Sequence, residues 1–228
     1  MRYAENVLLA LFFLAAQPAR PAARAPALPG GLDAFTDPAV AEALGTFDPS
    51  PGAWAEYAIS PAKGQKTRVR IAVLAPPLPG GRYWLETASQ AQDGPPIGVK
   101  MLVHGASGRV ENVERIYVYM GGQAPLELPL PDLRDYLQAP ERKPPPQVRR
   151  KGTQTVRVPA GEFAADLLEI RASRIWRSAK VPLWGLVRAQ QPGRRIELVG
   201  FGAQGAETVF PPGFDDASPQ GNGKERVK

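Results

Sequence analysis

The stretch from Gly152 to Val187 constrains the fold more than any other part of this chain. It reads G-T-Q-T-V-R-V-P-A-G-E-F-A-A-D-L-L-E-I-R and, three residues further on, R-I-W-R-S-A-K-V-P-L-W-G-L-V. β-Branched residues favour a strand up to Val158, and Pro159 with Gly161 supplies the residues of a turn. The pattern predicts a strand, a turn, a returning strand and a third strand that carries Trp176. A Val-Pro-Leu-Trp-Gly corner then leads into the next strand.

The same strand rhythm recurs on both sides of this stretch. In Thr67–Leu74, Val69, Ile71 and Val73 share one face while two arginines share the other, which predicts a sheet with one solvated side. Further strands are predicted at Trp54–Ile59, Arg82–Thr87, Val99–Val103, Val113–Met120, Arg195–Gly202 and Glu207–Phe210. The connections are too short for crossover helices, so the strands are expected to form an antiparallel meander. The expected fold class is mainly β, a curved antiparallel sheet with two or three short helices.

The two ends of the chain read differently from its middle. Residues 1–25 are predicted to be a signal peptide, because a ten-residue apolar run at 7–16 follows Arg2 and small residues follow the run. That run is shorter than the roughly 20 residues that a membrane-spanning helix needs. Cleavage would place the protein in the periplasm or outside the cell; an uncleaved leader would tether it, and a buried helix is the alternative reading.

The remaining boundaries follow from composition. Residues 26–52 are predicted to be a linker with a short helix at 37–44, and residues 53–212 to be a single β-rich domain with a second helix at 131–138. Residues 213–228 are polar and rich in charge, which predicts a disordered tail.

Positive charge is concentrated in one segment. The chain has a net charge of +6 at pH 7, and removing the leader leaves about +4. Two basic clusters lie close together in a proline-rich loop predicted at Pro140–Lys151: Arg142 and Lys143, then Arg149, Arg150 and Lys151. Such a segment can dock on anionic head groups or on a partner, or it can simply keep the protein soluble. No aromatic residues interleave with the basic ones, so nucleic acid is not expected as a partner.

Catalytic and metal-binding patterns are weak. The chain has no cysteine and a single histidine, His104, so thiol chemistry, disulfides and imidazole-rich metal sites are not expected. No G-x-S-x-G elbow surrounds His104. Ser178 and Lys180 have the spacing of a Ser-Lys pair, which keeps a hydrolase as the weakest of three hypotheses. No cofactor is predicted, and the protein is expected not to be an enzyme.

Aromatic and apolar residues are the strongest remaining signal. Each of the four tryptophans lies in or beside a predicted strand, where packing in a core is the ordinary role. Two strands, Val113–Met120 and Phe163–Ile170, are apolar on both faces, so their second face needs a cover. Helices or a ligand could provide it. The candidate lining residues of an apolar cavity are Trp84, Met101, Tyr117, Leu168, Trp176 and Trp184.

The segments V-R-V-P-A-G-E-F-A-A-D at 156–166, I-W-R-S-A-K-V-P-L-W-G-L-V at 175–187 and I-E-L-V-G-F-G at 196–202 carry a family likeness. Together they resemble the C-terminal half of periplasmic lipoprotein-carrier-like (LolA/LppX-like) proteins and related exported bacterial proteins. The resemblance implies a curved antiparallel half-barrel, with helices as a lid over an apolar cavity that holds lipid-modified proteins or hydrophobic molecules. This chain has no N-terminal cysteine for a lipid anchor.

Two functions of different classes remain open. The first is an exported, non-catalytic binding protein of the cell envelope that holds a lipid, an acyl chain or a lipoprotein in an apolar cavity. The second is a structural or interaction module of an envelope complex, with a fully packed sheet and no cavity. If Trp176 lines a cavity, its replacement by alanine is expected to weaken ligand binding more than the fold.

Overall fold

The computed structural model describes residue 44 and residues 47–91, 94–105, 112–130, 147–212 and 214. These residues form eleven strands: β1 Trp54–Pro61, β2 Thr67–Val73, β3 Arg82–Ala91, β4 Ile97–His104, β5 Val113–Met120, β6 Leu126–Glu127, β7 Arg149–Val158, β8 Gly161–Ile170, β9 Ser173–Arg177, β10 Leu186–Gln191 and β11 Arg194–Gly202. A short 3-10 turn at Pro79–Gly81 precedes β3. The predicted leader, both predicted helices except Leu44, and the predicted tail except Phe214 lie outside the described residues.

All eleven strands belong to one open, curved antiparallel sheet with the order β6-β5-β4-β3-β2-β1-β11-β10-β9-β8-β7. β1 to β6 form one meander and β7 to β11 another, and the pairing of β1 with β11 joins them. The predicted mainly β, antiparallel fold is therefore confirmed. Within the described residues there is no helix of seven or more residues, and no helix is long and apolar enough to cross a membrane.

The sheet has two distinct faces, set by strand alternation. The core face carries most of the buried side chains. Tyr57 with its partner Val69, and Leu85 with Met101 and Ile116 in the next strands, are examples, and all five are fully buried. Leu44, Phe47, Leu183 and Trp184 belong to the same cluster and Leu128 packs against it, and all five come from outside the strands. The core face is thus covered by connecting segments rather than left to solvent.

The opposite face, which we call the strap face, is covered in part by the C-terminal strap, residues 203–212 with Phe214. The strap is held by hydrogen bonds from Trp54 Nε1 to the Gln204 carbonyl (3.1 Å) and from the Ala206 N–H to the Gly52 carbonyl (3.0 Å). The predicted strand at Glu207–Phe210 is wrong: these residues pair with no strand and cross the sheet instead. The expectation of one solvated side holds for Arg68, which is exposed, but not for the part under the strap.

The β7–β8 hairpin reaches across the two short strands beside it. β10 pairs with β11 only as far as Glu197, which leaves the second half of β11 without a neighbour on that side. The hairpin tip reaches it there, where the Ala160 N–H donates to the Leu198 carbonyl at 3.1 Å. Phe163 then packs against Phe201, with ring centroids 5.7 Å apart. Val156 and Phe163 of the hairpin belong to the same core cluster as Trp176, so the hairpin extends the core beyond β9.

Candidate binding site

The sheet separates the six predicted lining residues into two groups. Met101 and Leu168 lie on the core face, and Trp184 packs into the same core from the corner before β10. Trp84 and Tyr117 lie on the strap face. Trp176 has the same alternation as these two, but it belongs to the core cluster together with Val156 and Phe163 of the β7–β8 hairpin. No single cavity can be lined by all six, because the backbone of the sheet lies between Trp84 with Tyr117 and the members of the core cluster. Strand alternation fixes which residues share a face, but it does not fix which face encloses a cavity.

The corner at 178–185 shapes the core-face group. Val181 donates its N–H to the Ser178 carbonyl, and Ser178 donates to the Gly185 carbonyl at 2.8 Å. Gly185 has φ +73°, and a Cβ there would lie 2.9 Å from the Ser178 carbonyl oxygen, so the position requires glycine. The corner presents Trp184 to Phe47, with ring centroids 4.8 Å apart. The V-P-L-W-G motif is thus a structural element that fastens a connecting segment to the core.

A cleft of about 430 Å³ opens where this corner meets β8 and β9. Its lining residues combine apolar, cationic and hydroxyl groups: Arg150, Asp166, Leu168, Arg177, Ser178, Ala179, Val181 and Gly185. That volume lies within the roughly 300–1,000 Å³ of small-molecule sites. Leu168 and Val181 supply apolar side chains to the cleft. The guanidinium groups of Arg150 and Arg177 exceed the single carboxylate of Asp166, which is ion-paired with Arg150, by one positive charge. A ligand with an apolar part and a polar or anionic part matches this lining.

The polar groups of the cleft are already organised. Asp166 accepts hydrogen bonds from Thr153 Oγ1 (2.7 Å) and from Arg150, and these lower the pKa of its carboxyl group. Arg177 Nε donates to the Trp184 carbonyl at 2.9 Å. Fixed donors and charges of this kind suit recognition, because they need little rearrangement when a ligand arrives.

Tyr83 adds a buried polar atom to the core face. The ring is 4% exposed and lies 6.4 Å from the ring of Phe47. Its hydroxyl has no hydrogen-bond partner among the described residues, and burial raises the pKa of Tyr83 to about 12. A buried hydroxyl without a partner is energetically unfavourable.

The strap-face group forms an aromatic cluster with the strap. Tyr117 lies 5.9 Å from Trp84 and meets Phe214 edge-on at 4.7 Å. Phe210 stacks on Phe214 at 5.2 Å and contacts Tyr119 at 5.6 Å. The chain's own C-terminal residues therefore occupy the space beside Trp84 and Tyr117, which the sequence left to helices or a ligand.

Two charged residues are buried beneath the strap. Glu86 and Lys100 are 2% and 0% exposed. Glu86 accepts hydrogen bonds from the Val209 N–H (2.8 Å) and from the Thr208 hydroxyl. Lys100 Nζ lies 5.3 Å from the ring centroid of Trp84 and 5.5 Å from that of Phe210, which is cation–π geometry. Neither residue was predicted from the sequence as part of a site; the only signal was their position within strands of mostly buried residues.

Trp176 is buried in the core cluster and lies opposite Leu167 in register. Arg188 lies over its ring at 5.8 Å, and its indole Nε1 has no hydrogen-bond partner within the described part of the chain. The β7–β8 hairpin covers it. This environment favours a packing role for Trp176.

The three catalytic candidates do not come together. His104 lies at the end of β4, half-exposed, with Nδ1 3.4 Å from a Glu114 carboxylate oxygen. Ser178 is buried at the corner, whereas Lys180 is exposed. Among the described ranges, no three His, Asp or Glu side chains are grouped to hold a metal ion.

The predicted docking residues are only partly in a loop. Arg149, Arg150 and Lys151 form the start of β7, and two of them are ion-paired: Arg150 with Asp166, and Lys151 with Glu169 at 3.3 Å. The expectation that the loop extends to residue 151 is therefore wrong, because backbone pairing with β8 begins at Arg149. Arg142 and Lys143 lie outside the described residues.

No protein-family model matches the sequence, and no curated protein matches it. Among solved structures, a candidate exported protein with a YmcC-like fold from Bacteroides fragilis NCTC 9343 has a TM-score of 0.36 and 14% identity, covering 69% of this chain and 99% of that one. A candidate lipoprotein from Parabacteroides distasonis ATCC 8503 has a TM-score of 0.33 and 13% identity, covering 69% and 99%.

MucB is similar at a TM-score of 0.36 and 12% identity, covering 69% of this chain; the chain spans 55% of MucB. None of these three proteins is described as a lipoprotein carrier, so the resemblance to lipoprotein carriers stays a prediction. Similarity at these TM-scores establishes neither a shared function nor a shared ligand.

Proposed function

We propose that this is an exported, non-catalytic binding protein of the cell envelope that holds the acyl chain of a lipid or lipoprotein at the core face of its sheet. The observation that carries the proposal is the cleft at the corner, where apolar Leu168 and Val181 lie beside the guanidinium groups of Arg150 and Arg177. An amphiphile has the matching pair of features, an apolar chain and a polar or anionic head. The leader-like run at 7–16 supports export.

The core face supports the acyl-chain part of the proposal. Leu168 is directly opposite Ile175 on β9, which is fully buried, so the apolar face continues into the cleft without a polar interruption at that point. An acyl chain entering past Leu168 would remain in contact with apolar side chains. Burial of apolar surface at roughly 25 cal/mol per Å² supplies the driving force.

The experiment is native mass spectrometry with lipid extraction on protein recovered from an exporting host under mild conditions. The test variant is Leu168→Gln, and the matched control is Leu167→Gln. Both leucines are half-buried neighbours on β8, but only Leu168 faces the cleft. We expect a co-purifying acyl species in the wild type and the control, and its loss from the Leu168→Gln variant.

The alternative function, an interaction module of an envelope complex without a ligand, predicts a different result. The wild type would then give a clean protein mass that does not change when lipids are added. Retention of the acyl species by Leu168→Gln together with its loss from Leu167→Gln would move the site to the strap-face side and refute the proposed cleft.

A further inference from the structure

Positive charge is concentrated at one end of the sheet, away from the cleft proposed to bind the acyl chain. The turns β1–β2, β8–β9 and β10–β11 lie at this end, and the Ala62 N–H donates to the Gly193 carbonyl at 2.6 Å, so two of the turns touch. We name the basic residues in and beside these turns the turn rim: Lys63, Lys66, Arg149, Lys151, Arg171, Arg174, Arg194 and Arg195. Glu169 and Glu197 are the carboxylates that these residues pair with.

Strand register brings the rim together. Arg149 is opposite Glu169, Glu169 is opposite Arg174, Arg174 is opposite Gln190, and Gln190 is opposite Arg195. Directly opposed residues share a face and lie about 5 Å apart. Five neighbouring strands therefore present one polar row with three arginines, and the turn residues extend the charge beyond the strand ends.

Much of this charge is not neutralised. Lys63, Lys66, Arg149 and Arg171 are exposed, and none has a carboxylate partner among the described residues. Asp93 lies outside the described residues. Glu169 is shared between Lys151 (3.3 Å) and Arg174 (3.4 Å), so one carboxylate serves two cations. The rim keeps a strong net positive charge after its ion pairs are formed.

Arg171 is held in an unfavourable backbone conformation at the tip of the β8–β9 turn. Its φ is +52°, in the left-handed region that a two-residue hairpin turn requires and that Gly, Asn and Asp adopt most readily. Arg171 is exposed, and its side chain makes no hydrogen bond or ion pair with the described residues. A strained backbone at such a residue motivates a hypothesis of function.

Two clefts flank Arg171. One, of about 320 Å³, is lined by Gln147, Arg149, Glu169 and Arg171. The other, of about 450 Å³, is lined by Glu169, Arg171, Ala172, Ser173, Arg174, Gln190, Gln191 and Pro192, so its two arginines exceed its one carboxylate. Guanidinium groups with serine and amide side chains are suitable donors to phosphate oxygens.

We propose that the turn rim docks the protein on an anionic bilayer surface, with phosphate head groups in the clefts beside Arg171. Polybasic clusters bind such surfaces through the negative surface potential. The turns contain no aromatic side chain on which bases could stack, so a lipid surface fits better than a nucleic acid. This role is independent of the acyl-chain proposal, because it requires no bound ligand.

The test is co-sedimentation of the full chain with vesicles of phosphatidylcholine alone or of phosphatidylcholine with 30% phosphatidylglycerol (a composition of about this order is sufficient for surface attraction). The measured quantity is the difference in bound protein between the two vesicle compositions. Any contribution of the apolar N-terminal run to vesicle binding therefore cancels. The rim variant combines Lys63→Gln, Lys66→Gln and Arg171→Gln. The control variant, Arg82→Gln, Arg157→Gln and Lys180→Gln, removes the same charge at the opposite end of the sheet.

We expect the wild type and the control to prefer the anionic vesicles, and the rim variant to bind them at least about tenfold more weakly. The preference should also fall as salt is raised above about 0.15 M, where the Debye length is about 8 Å. A single variant, Arg171→Asn, separates function from folding: Asn suits the left-handed conformation, so the protein should be at least as stable and yet bind less.

Three results would overturn the proposal. One is equal binding of the wild type to both vesicles, and another is an equal loss in the rim and control variants. The third is rim-dependent binding to a short duplex DNA that is tighter than binding to anionic vesicles, which would assign the rim to nucleic acid.

Discussion

Glu86 and Lys100 lie directly opposite each other on β3 and β4, and both are buried beneath the C-terminal strap. Glu86 holds the strap through the Val209 N–H and the Thr208 hydroxyl, while Lys100 lies between the rings of Trp84 and Phe210. Buried charges are stabilised only by neighbours that compensate them. The strap and this charged pair are therefore expected to depend on each other for stability.

Glu86→Gln should lower the free energy of unfolding by about 3 kcal/mol or more, because it removes the negative charge beside a fully buried ammonium group. Chemical denaturation at neutral pH measures the loss. The control is Glu56→Gln, which breaks an exposed ion pair with Arg68 and should lower the free energy by less than about 1 kcal/mol. Equal small losses would mean that Glu86 does not compensate Lys100.

Gly98→Ala should loosen the strap. A Cβ at residue 98 would lie 2.9 Å from Val209 Cγ2 and 3.0 Å from Phe210 Cε2, and overpacking of this kind lowers stability by about 1–3 kcal/mol. Limited proteolysis of the C-terminal segment gives the readout, with faster cleavage expected in the variant. In the control, Gly94→Ala, the nearest atom would be the Ala91 Cβ at 3.4 Å, and no change in cleavage is expected.

Trp176→Ala should lower the free energy of unfolding by about 3–5 kcal/mol, because a large buried ring is lost from beneath the β7–β8 hairpin. The more conservative Trp176→Phe should stay folded and keep any acyl species detected by native mass spectrometry. Loss of that species from a folded Trp176→Phe variant would contradict the packing role and return Trp176 to the binding site.

Tyr83→Phe should stabilise the protein by about 1 kcal/mol, because it removes a buried hydroxyl without a hydrogen-bond partner among the described residues. Burial raises the pKa of Tyr83 from 10.0 to about 12. Neutral Tyr83 therefore contributes fully to the free energy of unfolding below pH 10. That contribution is lost as the pH rises from 10 toward 12, because the unfolded chain releases the phenolic proton first.

Thermal melts of both proteins between pH 9 and 12 measure the effect (the range brackets the ordinary tyrosine pKa). The advantage of the phenylalanine variant should grow across that interval. A variant that is less stable than the wild type at pH 7 would show that the hydroxyl has a partner.

Strand periodicity predicted much of the sheet. Val113–Met120 is found at the predicted bounds, and the strand that carries Trp176 and the corner at 181–185 are found in the predicted order. β6 was missed because two residues, Leu126 and Glu127, are too few to show a period. Glu207–Phe210 has the composition of a strand, but side chains accept hydrogen bonds from its N–H groups: the Glu86 carboxylate from Val209 and the Thr208 hydroxyl from Phe210.

The candidate site was less accessible to sequence reasoning. Alternation correctly places Leu167 and Leu168 on opposite faces of β8. It does not predict that the cleft lies on the Leu168 side. The turn rim combines turns more than a hundred residues apart in the chain, Lys63 and Arg171 among them, so no local window contains it. The Arg142–Lys151 segment that the sequence favoured contributes Arg149 and Lys151 to this rim.

The sequence by itself determined that this chain forms antiparallel strands, where its turns fall and which residues of each strand share a face, because these depend on neighbouring residues and on the period of two. Only the tertiary structure decided that β1 pairs with β11, that the C-terminal strap buries Glu86 and Lys100, and that three distant turns form one basic rim. The physical reason is that pairing and covering join residues far apart in the chain. Their energies depend on the whole arrangement of the sheet rather than on any local pattern.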